Sequence, residues 1–188
     1  MRITGGRFGG RVLKAPASRA IRPSADRLRE SLFNVLAHRP DDPIEGADVI
    51  DLFAGTGALG FEALSRGAAS ALFVDNGTEA RALLRANIEA LGVAGVTRIF
   101  RRDATRLGEA PEPGRFRLAF LDPPYEQGLA PRALSALRDG HWLRDGALAI
   151  IEESADTDVD LPARFVLEEH RVYGDTQIII AAFAAAGA

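Results

Sequence analysis

The sequence predicts an α/β protein built on a mostly parallel, Rossmann-like sheet with helices on both faces. Three observations carry this. From about residue 47, short apolar runs alternate with longer segments of helical periodicity. These runs are too continuously apolar for strands with one wet face. A glycine loop, Gly55-Thr56-Gly57-Ala58-Leu59-Gly60, sits where the first strand gives way to the first helix of the series. The C-terminal end breaks the pattern and reads as an antiparallel hairpin, and the N-terminal end as a small basic extension.

Element by element, residues 1–16 predict an extended arm or short hairpin. Gly5-Gly6 and Gly9-Gly10 supply turn freedom, and Val12 and Leu13 supply something to bury. Pro23 and Ser24 open a helix to about Leu36, with an apolar stripe at Leu28, Leu32, Val35 and Leu36. Pro40 and Pro43 close this unit, dividing the chain into a basic extension, 1–39, and a main domain, 40–188. Val49–Phe53 is the first strand, and the helix after the glycine loop runs through Ser65. Ala71–Val74 is the second strand. Thr78 is expected to cap the next helix, whose Ala80, Leu84, Ile88 and Leu91 recur at helical spacing before Gly92 stops it. Val96–Phe100, Arg117–Leu121 and Ala147–Glu152 are three more strands, with a helix from Pro131 to Asp139 before the last. Phe165–Tyr173 and Thr176–Phe183, joined at Gly174-Asp175, form the hairpin.

Composition narrows the chemistry. The absence of cysteine excludes disulfides, thiolate nucleophiles and cysteine-ligated metals. His38, His141 and His170 are too scattered to suggest a histidine metal site, so no metal is expected. No apolar run is long enough to cross a membrane, and no signal segment opens the chain, so a cytoplasmic monomer is expected. Charge is unevenly spread. Nine basic and two acidic side chains give residues 1–39 a net +7, and the total of −3 leaves −10 for the rest. A basic arm on an acidic body predicts a surface for a polyanion such as nucleic acid.

The glycine loop alone fits a nicotinamide cofactor, and Asp75 lies 20 residues beyond Gly55 as that reading requires. Two further carboxylates argue against it. Asp51 immediately before the loop would repel a pyrophosphate but suit a cationic amino group. Asp103, after the third strand, can accept from an adenine amine beside the Ala104 N–H. Asp51, Asp75 and Asp103 thus end three neighbouring strands, where such sheets bind ligands. S-adenosylmethionine has an amino acid end, a ribose and an adenine but no phosphate, and it fits that set.

Asp122-Pro123-Pro124-Tyr125 follows the fourth strand. Two prolines make a stiff corner and remove two N–H donors, leaving carbonyls free to accept. The Asp122 carboxylate and the Pro123 carbonyl can take the two protons of an exocyclic amine, aiming the nitrogen lone pair at a methyl group. Tyr125 can stack on the base. Asp122 need not be a strong base, because the methylated nitrogen becomes acidic and sheds its proton afterwards.

These motifs resemble the amino-directed S-adenosylmethionine methyltransferases. Together with RITGGRFGGRVLKAP (Arg2–Pro16), IRPSADRLRESLFNVL (Ile21–Leu36) and DLFAGTGALGFEALSRGA (Asp51–Ala68), nearly the whole chain is similar to the bacterial 16S rRNA guanine-N2 methyltransferases of the RsmD family. The resemblance implies a seven-stranded methyltransferase sheet. It also implies methylation of one small-subunit guanine, conventionally numbered 966, in the assembled 30S particle. Carried onto this chain, Asp51, Phe53, Gly55, Thr56, Gly57, Asp75, Asn76, Asp103 and Ala104 would hold S-adenosylmethionine. Asp122, Pro123 and Tyr125 would act on the guanine, with Pro124 beside it. Arg7, Arg11, Arg22, Arg27 and Arg29 would face the 16S rRNA. Asn76-Gly77 departs from relatives that carry a second acidic residue at the Gly77 position.

Three rivals remain. An adenine-N6 or cytosine-N4 DNA methyltransferase shares the Asp-Pro-Pro-Tyr chemistry, but 188 residues leave little room for a target-recognition domain. A protein-glutamine methyltransferase would favour Asn at position 122. An RNA-binding module would leave both motifs idle.

Overall fold

A computed structural model describes residues 1–16 and 23–185. Its elements are α1 (Pro23–Ala37), β1 (Asp48–Leu52), α2 (Ala58–Ser65), β2 (Ser70–Val74), α3 (Thr78–Leu91), β3 (Thr97–Phe100), β4 (Phe116–Leu121), α4 (Leu129–Asp139), β5 (Leu143–Ser154), β6 (Phe165–Tyr173) and β7 (Thr176–Phe183). The strands form one seven-stranded sheet in the order β3-β2-β1-β4-β5-β7-β6. The first five pair in parallel, and β7 runs antiparallel to both β5 and β6. From β1 the chain winds outward to β2 and β3, then returns to place β4 on the other side. That reversal opens a crevice between the C-terminal ends of β1 and β4. Leu52 is level with both Val74 and Leu121, so the loops after β1, β2 and β4 leave at one height.

Strand alternation divides the interior into two cores. Val49, Phe73, Phe120, Ile150 and Ile178 face the N-terminal arm, α1 and α2. Ile50, Leu52, Val74, Leu121 and Ile151 face α4 and Trp142. Ile3 and Leu13 of the arm belong to the first core along with Phe33 and Leu36 of α1. The basic extension and the sheet therefore share one interior. Ring contact between Phe33 and Phe120, 5.5 Å between centroids, seats α1 just below the exit of β4.

The arm closes as a narrow hairpin with Arg2 bridged to Val12 and a 3₁₀ turn at Gly6–Phe8. Ile3 rather than Val12 is its second anchor, since Val12 is 73% exposed. The arm docks on α2 through Glu62, a fully buried carboxylate. Glu62 accepts from the Thr4 N–H (2.8 Å), the Thr4 hydroxyl (2.7 Å), the Gly5 N–H (2.9 Å) and Arg66 Nε (2.8 Å). Gly6 lies at φ +71°, and a Cβ there would meet the Ser65 carbonyl oxygen at 1.9 Å. Only glycine allows this approach.

Several boundaries differ from expectation for local reasons. β1 ends at Leu52 because Phe53 turns to φ +58°. Gly77, not Thr78, occupies the cap of α3, without a side-chain cap bond, and Thr78 is the first helical residue. α4 begins at Leu129 on a left-handed Gly128, which places Pro131 within the first turn, where its missing N–H costs nothing. β5 extends to Ser154 because β7 pairs with it through that residue. The expected hairpin strands are observed residue for residue.

Candidate active site

The donor side begins with the loop from Phe53 to Gly57. Phe53, Gly55 and Gly57 all take positive φ (+58°, +54° and +81°), folding the backbone into a tight cup before α2. A Cβ on Gly57 would meet Phe61 Cε2 at 2.5 Å and Leu84 Cδ2 at 2.7 Å, so the floor of the cup tolerates no side chain. A Cβ on Gly55 would meet only the Phe53 carbonyl oxygen, at 3.8 Å; that side of the loop is open. Thr56 is buried, and its carbonyl accepts from Asn87 Nδ2 at 3.0 Å. Asn87 also pairs with both backbone groups of Lys14, tying arm, loop and α3 together.

Asp75 ends β2 with both carboxylate oxygens engaged. One accepts the Gly55 N–H at 2.9 Å and the other the Gly77 N–H at 2.7 Å. Each oxygen keeps a second acceptor site for a ligand hydroxyl. Asn76 is exposed and offers its carbonyl to Arg81 at 2.6 Å. Asp103 is exposed after β3, accepting from the Thr105 N–H and hydroxyl, each at 2.8 Å. Those two bonds hold its carboxyl below the usual range. Ala104 beside it is buried.

Asp51 corrects one expectation. It is not an open neighbour for a cationic group, being 2% exposed and bonded to the Gly60 N–H at 2.9 Å. Burial pushes its pKa up to about 8, against the opposing Gly60 bond and with help from the charge of Asp75. Its carboxyl lies beneath the cup and holds the first turn of α2.

A ligand of this crevice meets an open glycine edge, two accessible carboxylates and no lysine in the loop. Such a set suits hydroxyls and amines and disfavours a pyrophosphate. The donor groups fit S-adenosylmethionine.

The Asp122–Tyr125 corner leaves β4 next to this cup. Asp122 is exposed, Pro123 buried, Pro124 exposed and Tyr125 38% exposed. The Tyr125 hydroxyl donates to Glu152 Oε1 at 2.9 Å and lies 3.4 Å from Thr176 Oγ1. Burial foremost, with the charges of Glu152 and Asp122, pushes its phenol pKa up, so the ring is neutral. The following residue, Glu126, sits at φ +61° with its N–H held by the buried Glu153 at 3.1 Å. Glu152, Glu153 and Thr176 are neighbours of this corner that local motif reading does not reveal. Their signal is the strand register: Leu121 lies opposite Ile151, so the end of β5 borders the corner.

Of the expected RNA-facing arginines, Arg7, Arg11 and Arg27 are exposed. Arg22 lies outside the described residues. Arg29 is a correction: it is 5% exposed, paired with Asp26 at 2.8 Å and Glu62 at 3.4 Å, and donates to the Arg2 carbonyl. A buried carboxylate 33 residues away claims its charge. Among the described residues no group of three or more His, Asp or Glu side chains is arranged to hold a metal ion, and no helix is long and apolar enough to cross a membrane.

The chain is similar to several known proteins. The family described as conserved hypothetical protein 95 matches residues 1–182. The chain is 38% identical to ribosomal RNA small subunit methyltransferase D of Escherichia coli (strain K12) over 176 residues, 93% of this chain and 85% of that protein. It is 32% identical to the protein of the same name from Haemophilus influenzae, over 93% of this chain and 89% of that one. The solved structure of yhhF from Escherichia coli superposes with a TM-score of 0.82 at 34% identity, covering 98% of both chains.

Proposed function

The chain belongs to the conserved hypothetical protein 95 family, with the fold and donor of the S-adenosylmethionine-dependent methyltransferases, and we propose that it methylates the exocyclic N2 of one guanine in 16S rRNA of the small ribosomal subunit. The observation that carries this reading is the adjacency of the acidic donor cup to the Asp-Pro-Pro-Tyr corner, one strand apart at the switch point. Two relatives named as small-subunit rRNA methyltransferases support the choice of RNA.

S-adenosylmethionine supplies an electrophilic methyl group when bound. Asp75 would accept from the ribose hydroxyls, Asp103 with the Ala104 N–H would meet the adenine, and the open edge of Gly55 would let the backbone approach. On the other side, the Asp122 carboxylate and the Pro123 carbonyl accept the two N2 protons of the guanine. Holding both protons out of the ring plane takes the nitrogen lone pair out of conjugation with the ring, makes the nitrogen more tetrahedral and turns that lone pair toward the donor. Tyr125 stacks on the base, held in plane by Glu152 and Thr176, while Pro124 lines the approach. The neutral hydroxyl of Tyr125 leaves the electrostatic work to Asp122. The proton is lost after transfer, when the substituted nitrogen is acidic.

A base inside a duplex cannot reach this corner, so the RNA must present the guanine unstacked. Arg7, Arg11 and Arg27 provide phosphate contacts on the exposed side of the arm and α1. Deleting the gene tests the reading in cells: N2-methylguanosine should vanish from one 16S rRNA fragment and return with the wild-type gene. An unchanged nucleoside profile would refute it.

A further inference from the structure

The Asp-Pro-Pro-Tyr corner explains how an amine is held but not why that amine belongs to guanine. Adenine N6 and cytosine N4 carry the same two protons. They differ in the next ring atom. Guanine N1 carries a proton, whereas adenine N1 and cytosine N3 present a lone pair. A site selective for guanine therefore needs an acceptor beside the amine site.

Glu152 stands at that place. β4 and β5 are parallel neighbours with Leu121 opposite Ile151, so Asp122 and Glu152 come next on the two strands at one height. Alternation along β5 sends Ile150 to the α1 side and Ile151 to the α4 side, which returns Glu152 to the α1 side. Tyr125, the stacking residue, bonds Glu152 Oε1 directly and feels the charges of both carboxylates. The Tyr125 bond uses one of about four acceptor sites on the Glu152 carboxylate, and the rest suffice for a second donor. Glu152 is half-buried, and burial raises its pKa, while the nearby Arg29 guanidinium favours its charged form. The cation expected on the RNA surface thus acts on the charge of Glu152 instead.

We propose that Glu152 accepts the N1–H of the target base next to the amine held at Asp122, and so selects guanine over adenine and cytosine. This rests on the N2-methylguanine reading above. A base with a lone pair at that position would face the carboxylate acceptor to acceptor, with repulsion in place of a hydrogen bond. Such mismatches are rejected far more strongly than a missing apolar contact.

The test uses RNA carrying either guanine or 2,6-diaminopurine at the methylated position. The analogue keeps the N2 amine but has a lone pair at N1. Wild-type protein should methylate guanine about 10²-fold faster or more. Glu152→Gln can turn its amide N–H toward that lone pair, so the preference should shrink at least about tenfold, chiefly through faster use of the analogue. Equal rates on the two bases with wild-type protein would overturn the proposal without recourse to any variant. An unchanged preference in a Glu152→Gln protein that binds S-adenosylmethionine normally would overturn it too. If wild-type protein leaves guanine N2 unmethylated altogether, the underlying reading falls and this inference with it. Methylation of guanine N2 with no role for Glu152 removes the inference alone.

Discussion

Asp122 and Asp51 show how differently two carboxylates at strand ends can serve one crevice. Asp122 is exposed beyond β4, where a substrate amine can reach it. Asp122→Ala should lower kcat by about 10²-fold or more with little change in S-adenosylmethionine affinity, read by single-turnover kinetics and calorimetry. Loss of donor binding instead would place Asp122 on the wrong side of the crevice. Asp51 is buried, with its pKa raised to about 8. The folded protein therefore holds a proton on Asp51 that the unfolded chain releases near pH 4. Its contribution to stability is full below that pH, declines as pH rises, and flattens above about pH 8. Asp51→Asn keeps an acceptor for the Gly60 N–H and removes the titration. Urea midpoints of the wild type should fall relative to this variant between pH 5 and pH 8. Parallel curves would contradict the burial argument. Neither distinction is visible in a linear sequence, where both residues are aspartates at the ends of apolar runs. Arg29 was opaque for the same reason, since its partner Glu62 comes from another helix.

At the scale of elements, the arm, α1 and α2 meet at Glu62, and the arrangement depends on that one charge. Glu62→Ala leaves Arg29 buried beside a cavity and strips the acceptors from Thr4 and Gly5. We expect a loss of about 3–5 kcal/mol in chemical denaturation, the usual cost of breaking a buried pair from one side. A loss below about 1 kcal/mol would mean that water replaces the missing carboxylate. The elements themselves were largely legible. Helical periodicity and the Gly92 stop located the end of α3 and missed its start by one residue, and Gly174-Asp175 located the final hairpin. Legibility failed where long-range pairing or backbone conformation decides. β5 outran its expected end because β7 extends it, and β1 stopped early at a left-handed Phe53. The placement of Asp75 and Asp103 near strand ends was legible, since one directly follows β2 and the other lies three residues beyond β3. Glu152 was not, because its proximity to Asp122 exists only through the β4–β5 register.

Across the whole molecule, the governing feature is charge asymmetry: +7 in the first 39 residues against −10 in the remainder. On the proposed function, the acidic body would repel RNA from most of its surface, and the exposed arginines of the arm and α1 would orient it toward the crevice. Particle affinity should fall steeply with salt, and Arg7→Ala, Arg11→Ala and Arg27→Ala should each reduce the slope by about one. Donor affinity should be unaffected in all three. A salt dependence identical to wild type in the triple variant would move the RNA surface elsewhere. The most direct measurement is transfer of labelled methyl by the purified protein to 30S subunits lacking this modification, beside naked 16S rRNA and duplex DNA, with nuclease digestion of each product. N2-methylguanosine is expected in a single fragment of the small-subunit rRNA. Label confined to N6-methyladenine or N4-methylcytosine in the DNA would contradict it.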